Sequence, residues 1–387
     1  MSPLSRRTLI RGAGGAAFIG GSAAVLPLFG LDGAKQNPLD CMAKDLSATQ
    51  KQLQVSNWPQ YIDPIKKASS TLKEFEKRTG IAVTYTDDVN DNTEFFAKVR
   101  NQLGSCQPIK RDIMILTDWM AGRMVGLGWV QPIDPAKVPN LHKNLIKPLQ
   151  GRSWDPERKY SAPWQSGVTG MAYNAAKVGE VRSFKELLTR SDLKGRVTLL
   201  SEMRDTMGFM LRVVGADPAN FNDTEWGNAL EELRKSVVNG HVRAFTGNDY
   251  SQDLAAGNIL ACEAWCGDVI QLQFDNPDIK FVYPEEGTSL WSDNMLIPNL
   301  ATHHSNAEEW INYYYEPEVA AKLAAWNNYI CPVEGGKQAM EKLDPSLVDN
   351  KLIFPDESDL KTAFEFMTLN ETQNKIYEKE WSDVTGG

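Results

Sequence analysis

From residue 53 onward, short apolar runs alternate with longer stretches of helical period. Residues 53–57 read as a buried strand. Residues 65–78 read as a helix, with Lys77 and Arg78 in its last turn and Gly80 just beyond. Residues 81–86 alternate apolar and polar, 93–103 return to the helical period, and 112–116 form a short apolar strand. Helix then resumes over 118–127 and stops at Gly126 and Gly128. This βαβαβα order predicts a mostly parallel sheet, in which ligands bind beyond the carboxyl ends of the strands. An extended crossing segment is predicted at 168–174. A second α/β region follows, with strands at 196–200, 259–264 and 281–284 and helices at 206–214 and 223–239. Residues 293–297 read as a crossing back, and helices at 307–315, 317–327 and 359–381 finish the chain. Two lobes joined by such crossings place a ligand in a cleft that closes by hinge motion.

The ends and the totals refine this picture. Residues 5–11, Ser-Arg-Arg-Thr-Leu-Ile-Arg, precede a Gly/Ala-rich apolar run reaching Phe29. A charged segment before a weakly apolar one is the pattern of an export leader, and paired arginines point to the twin-arginine route. The expectation is a leader over 1–34, a polar linker over 35–51 and a periplasmic product. Gly12-Ala13-Gly14-Gly15-Ala16-Ala17 imitates a dinucleotide fingerprint, but arginines rather than a strand precede it, so nucleotide binding is rejected. No other stretch of 18 apolar residues occurs, which predicts a chain that does not span a membrane. The formal charge of −9 argues against nucleic acid as a partner and suits a cationic ligand. The five cysteines, Cys41, Cys106, Cys262, Cys266 and Cys331, are scattered and odd in number, which predicts buried thiols rather than a disulfide scaffold or zinc site. Cys41 follows Leu39-Asp40, which lacks the small residues of a lipoprotein box.

Enzyme chemistry finds little support. The four histidines are His142, His241, His303 and His304; the adjacent pair is predicted on a surface loop, and no GxSxG, HExxH or P-loop is present. Aromatic residues at element ends stand out more. Trp58 and Tyr61 follow the first strand, Thr117-Asp118-Trp119 follows the third, and Trp265-Cys266-Gly267-Asp268 ends a strand of the second region. Trp291-Ser292-Asp293 begins the return crossing, and Tyr329 ends a late helix. Aromatic faces beside carboxylates suit an organic ammonium ion, through cation–π attraction and charge-assisted hydrogen bonds.

These segments carry a resemblance. The Asn-Trp-x-x-Tyr start, the Asp-led strand ending at Trp119, the Trp-x-Gly-Asp segment, Pro-Glu-Glu-Gly followed by Trp-x-Asp, the helix with Pro-Glu-Val-Ala and the terminal Ile-Tyr-Glu stand in this order. In them the chain resembles the periplasmic spermidine/putrescine-binding proteins over nearly all its length beyond the leader. The resemblance implies an α/β, two-lobed periplasmic-binding-protein fold of type II, with an extended polyamine between the lobes. One lobe would comprise residues 52–172 and 294–330, the other 173–293 and 331–387. It further implies an aromatic box of Trp58, Tyr61, Trp119, Trp265, Trp291 and Tyr329, with Asp293 holding an amino group. Asp268 matches the putrescine-preferring branch, Glu202 and Asp205 the acidic pair of the spermidine-binding branch, and Thr117 a ligand-bonding serine. Pro59 and Gln60 depart from positions that commonly supply a hydroxyl or an acid, and Met367 stands where the spermidine type has glutamine. The expected partners are a polyamine and an ABC permease, with the chain a monomer carrying no cofactor, metal or catalytic residue. Two alternatives remain: a ferric-ion receptor of the same fold using Tyr313-Tyr314-Tyr315, and a hydrolase pairing Glu202 with Asp205.

Overall fold

The computed structural model describes residues 41–386 apart from positions 60, 90, 91, 248 and 357. The leader over 1–34 and Gln60 lie outside the described residues. The first region opens with β1 (Gln52–Asn57), α1 (Thr71–Thr79), β2 (Ala82–Asp87), α2 (Asn92–Gly104), β3 (Ile113–Thr117) and α3 (Asp118–Leu127). Helix α1 starts six residues later than its periodicity suggests. The Ser70 hydroxyl accepts from Lys73 N–H, and the Asp63 carboxylate accepts from Thr71 N–H at 2.8 Å, so side chains rather than helical carbonyls satisfy the first donors. Gly80, at φ 73°, closes the helix in the left-handed conformation, as its position predicts.

After α4 (Pro139–Asn144) the chain runs through β4 (Ala162–Asn174), every residue of which is buried. The second region holds α5 (Phe184–Thr189), β5 (Val197–Leu200), α6 (Met203–Val213), α7 (Asp223–Val238), β6 (Val242–Thr246), α8 (Tyr250–Ala256), β7 (Ala261–Trp265), α9 (Cys266–Asp275) and β8 (Ile279–Val282). The return strand β9 (Ser289–Leu296) leads to α10 (His304–Tyr314), α11 (Pro317–Asn327), α12 (Gly336–Leu343) and α13 (Glu371–Thr385).

The strands hydrogen-bond in the order β2-β1-β3-β9-β4-β7-β5-β6, with β8 also on β4. The flanks are parallel, β1 with β2 and β3, and β5 with β6 and β7. The two crossing strands pair antiparallel with each other and with their neighbours, so the sheet is mixed rather than mostly parallel. Each flank buries its own core. Phe75, Trp164, Trp310 and Tyr314 anchor the first; Phe184, Phe209, Trp226 and Tyr377 anchor the second. Buried side chains from 331–353 join the first core and those from 364–384 the second. This is a two-lobed α/β fold.

Three local expectations are corrected. The helix foreseen over 359–381 begins only at Glu371, behind an Asn370/Gln373 capping box. Upstream, Phe364 N–H donates to Thr288 O and Leu290 N–H to Phe364 O, so this stretch takes backbone partners from the crossing strand instead of forming a helix. The His303–His304 pair is not a surface loop: His303 is buried against Asp112, and His304 bonds Pro132 O and faces Glu308. Cys41 and Cys106 form a disulfide, their Cα atoms 5.5 Å apart. Cys262, Cys266 and Cys331 are the buried thiols that the sequence suggested. Among the described residues, no helix is long and apolar enough to cross a membrane.

Candidate ligand-binding site

Asp293 lies on β9, opposite Thr117 at the end of β3 and opposite Gln165 on β4. Thr117 Oγ1 donates to its Oδ1 at 2.6 Å, and Tyr61 Oη donates to its Oδ2 at 2.7 Å. The hydroxyls are themselves placed. Asn92 Nδ2 donates to Thr117 Oγ1 at 2.9 Å, and Trp164 Nε1 donates to Tyr61 O at 3.1 Å. Only 6% of Asp293 is exposed, and burial raises its carboxyl to about 6 against the pull of the two hydroxyls. No basic side chain among the described residues is paired with it.

Aromatic rings wall this carboxylate. Tyr329 meets Tyr61 edge to face, with centroids 5.6 Å apart, and meets Trp291 at the same separation. Asn328, at φ 61°, caps α11 in the left-handed conformation and turns the chain so that Tyr329 follows. Trp291 and Asp293 are two apart on one strand and so share a face, as their spacing predicts. Two glycines make room. A Cβ on Gly167 would overlap the Trp291 indole, and one on Gly267 would come within 2.7 Å of the Tyr329 ring.

From Trp291 the contacts run into the second lobe. Trp291 Nε1 donates to Thr169 Oγ1 at 3.0 Å, and Thr169 Oγ1 donates to Asp205 Oδ1 at 2.8 Å. Trp265 Nε1 donates to Asp205 Oδ2 at 3.0 Å. The Asp205 carboxyl is raised by burial. Tyr250 Oη donates to Asp268 at 2.7 Å while accepting from Trp265 N–H, tying Asp268 to the same corner.

Eight of the eleven residues singled out from sequence therefore lie on or beside one connected chain of contacts: Tyr61, Thr117, Asp205, Trp265, Asp268, Trp291, Asp293 and Tyr329. Trp58 packs, half-buried, between two clusters of the first lobe, and its indole N–H is buried without a partner. Trp119 and Glu202 both meet Arg204: its guanidinium lies 3.5 Å above the Trp119 ring, and Glu202 caps α6 while pairing with the Arg204 charge at 3.5 Å. Thr169, Tyr250, Asn92, Gly167 and Arg204 belong to the arrangement but escaped the sequence reading. Only the strand period of β4, which puts Gly167 and Thr169 on one face, could have signalled any of them.

The Tyr313-Tyr314-Tyr315 run is packed. Tyr313 Oη donates to Thr71 O, Tyr314 Oη bonds the Thr71 hydroxyl, and Tyr315 Oη donates to Pro163 O. Its phenols are pushed above their ordinary range by burial. Glu202 and Asp205 do not form a hydrolase-like pair, since each is committed to different donors.

Known proteins resemble this chain over most of its length. The chain is 26% identical over 333 residues to the spermidine/putrescine-binding periplasmic protein of Escherichia coli, a match covering 86% of this chain and 90% of that one. It is 27% identical over 363 residues to the putrescine-binding periplasmic protein of the same organism, covering 88% and 93%. The crystal structure of a spermidine/putrescine ABC transporter substrate-binding protein from Streptococcus pneumoniae superposes with a TM-score of 0.74 at 23% identity, over 87% of this chain and 98% of that one. The family model described as bacterial extracellular solute-binding protein matches residues 70–346, and the chain belongs to that family.

Proposed function

We propose that this protein captures a polyamine of the putrescine/spermidine class in the cleft between its lobes and delivers it to an ABC permease. The observation that carries the reading is Asp293: a carboxylate, nine-tenths buried, held by two hydroxyls, walled by Tyr61, Tyr329 and Trp291, and lacking a basic partner among the described residues. An isolated buried carboxylate is costly, and a cation entering the site offsets that cost. An alkylammonium fits such a pocket because its charge meets the carboxylate and its methylenes meet the rings. Asp205 and Asp268, next to Trp265, supply acid at the second-lobe end. The relatives are named for binding spermidine and putrescine, which supports the same class. The chain binds and releases its ligand unchanged.

The periplasmic setting is supported by the Cys41–Cys106 disulfide, which persists in an oxidising compartment. Export through the twin-arginine route is the reading of Arg6 and Arg7. Replacing both by lysine should leave the precursor in the cytoplasm.

Tryptophan fluorescence during titration of dialysed protein tests the ligand class. Putrescine or spermidine should change the emission saturably, and ferric citrate should not. A response to iron alone, with the colour of iron–phenolate charge transfer, contradicts the proposal.

A further inference from the structure

Resting on the polyamine reading, we infer that Asn92 is a positioning residue, one that makes the Thr117 hydroxyl a steady donor to Asp293 and so keeps that carboxylate charged for an ammonium ion. Asn92 is 4% exposed and opens α2. Its Oδ1 accepts from Thr117 N–H at 3.1 Å, and its Nδ2 donates to Thr117 Oγ1 at 2.9 Å. The backbone N–H only donates, which settles which end of the amide faces which atom. The amide nitrogen has only hydrogens to offer, so the Thr117 oxygen accepts from it. The single hydroxyl proton is then directed to Asp293 Oδ1, 2.6 Å away.

The place of Thr117 in the chain shows what Asn92 works against. Thr117 is the N-cap residue of α3, with extended backbone at φ −65° and ψ 152°. A threonine there ordinarily turns its oxygen onto the first free N–H groups of the helix. Here its side chain makes no such bond. Without Asn92 the hydroxyl is released to cap α3, and of the two hydroxyl donors Asp293 keeps only Tyr61. A buried carboxyl with one donor fewer holds its proton more tightly. The other titratable groups that act on Asp293 are untouched by such a change. Tyr61 and Tyr329 are buried phenols whose protons are held well above the ordinary range. Asp118 pairs with Arg152 at 3.3 Å, and Asp205 accepts from Thr169 and Trp265 in the second lobe.

Calorimetric titration of full-length mature protein with putrescine and spermidine between pH 5 and 8 tests this, comparing wild type with Asn92→Ala, Thr117→Val and the double variant. Wild-type affinity should weaken as pH falls through about 6. Asn92→Ala should move that midpoint up by about half a pH unit or more, and Thr117→Val by as much. The double variant should rise no further than Thr117→Val alone, because Asn92 acts through the hydroxyl. At pH 8, where the carboxyl is ionised in each protein, Asn92→Ala should bind within about threefold of wild type. A midpoint left in place overturns the inference, and a uniform loss at every pH would make Asn92 a structural residue. A double variant whose midpoint rises by the sum of the single effects also overturns it. If Asn92→Ala does not fold, the isosteric Asn92→Asp decides, since its carboxylate still accepts from Thr117 N–H and draws the hydroxyl proton to itself. Its added charge raises the midpoint in any background. A larger rise with Thr117 present than in the Thr117→Val protein supports the inference, and equal rises overturn it. A wild type that binds neither polyamine overturns the functional reading itself, which separates the two failures.

Discussion

Replacing Asp293 by asparagine removes one charge from the centre of the site and little else. The carboxyl stands at about 6 against an ordinary 3.8, so holding it ionised in the unliganded interior near neutral pH costs about 3 kcal/mol. A bound ammonium recovers that cost and adds a charge-assisted hydrogen bond. Asparagine keeps the size and one acceptor. Its amide also sets a donor against the Tyr61 or Thr117 hydroxyl, both of which can turn to accept. Ligand affinity should therefore fall by about 2–5 kcal/mol, roughly 30- to several thousand-fold. Stability of the empty protein should hold or rise at pH 7.5, because the variant no longer buries an unpaired charge. Isothermal titration with putrescine and spermidine, alongside thermal melts without ligand, reads both effects. An affinity within threefold of wild type for both ligands would refute the role given to Asp293. A large stability loss accompanied by unchanged affinity would make it a structural residue.

The same carboxyl predicts a pH dependence. Proton and ammonium compete for Asp293, so affinity should be flat above pH 7 and weaken toward tenfold per unit below pH 6. Asp205, also raised, pushes in the same direction, and equal affinities at pH 7.5 and 5 would contradict this. In the empty protein the sign reverses. The folded carboxyl holds its proton more tightly than the unfolded one, so Asp293 contributes more stability as pH falls from 6 toward 4, and thermal melts across that window should show it. Gly267→Ala should weaken binding at least tenfold by pushing a methyl against the Tyr329 ring, although alanine at this position in α9 favours the helix itself. Unchanged affinity in that variant would mean the ring does not wall the ligand.

Much of the site was legible because it sits where strands end. Asp293 and Trp291 follow from a period of two, and α3 and α11 were bounded correctly by Gly128 and by Pro317. Length and end signals failed elsewhere for identifiable reasons. The 65–70 stretch has helical periodicity, but Asp63 and Ser70 take the first helical donors and delay α1. The 359–370 stretch has apolar residues at helical spacing, yet Phe364 is claimed by the backbone of residues 288 and 290. Cys41 and Cys106 are 65 residues apart, and only the docking of the segment before β1 brings them together. Arg204 escaped because an arginine between two acids reads as a solvated helix end, and its burial depends on α3 and α13 closing over it.

Native mass spectrometry of protein freshly purified from the periplasm, without dialysis, tests the central claim most directly. A folded monomer should carry one added mass equal to a polyamine such as putrescine or spermidine, lost on collisional activation. A retained iron or an anionic solute in place of the amine would contradict the account.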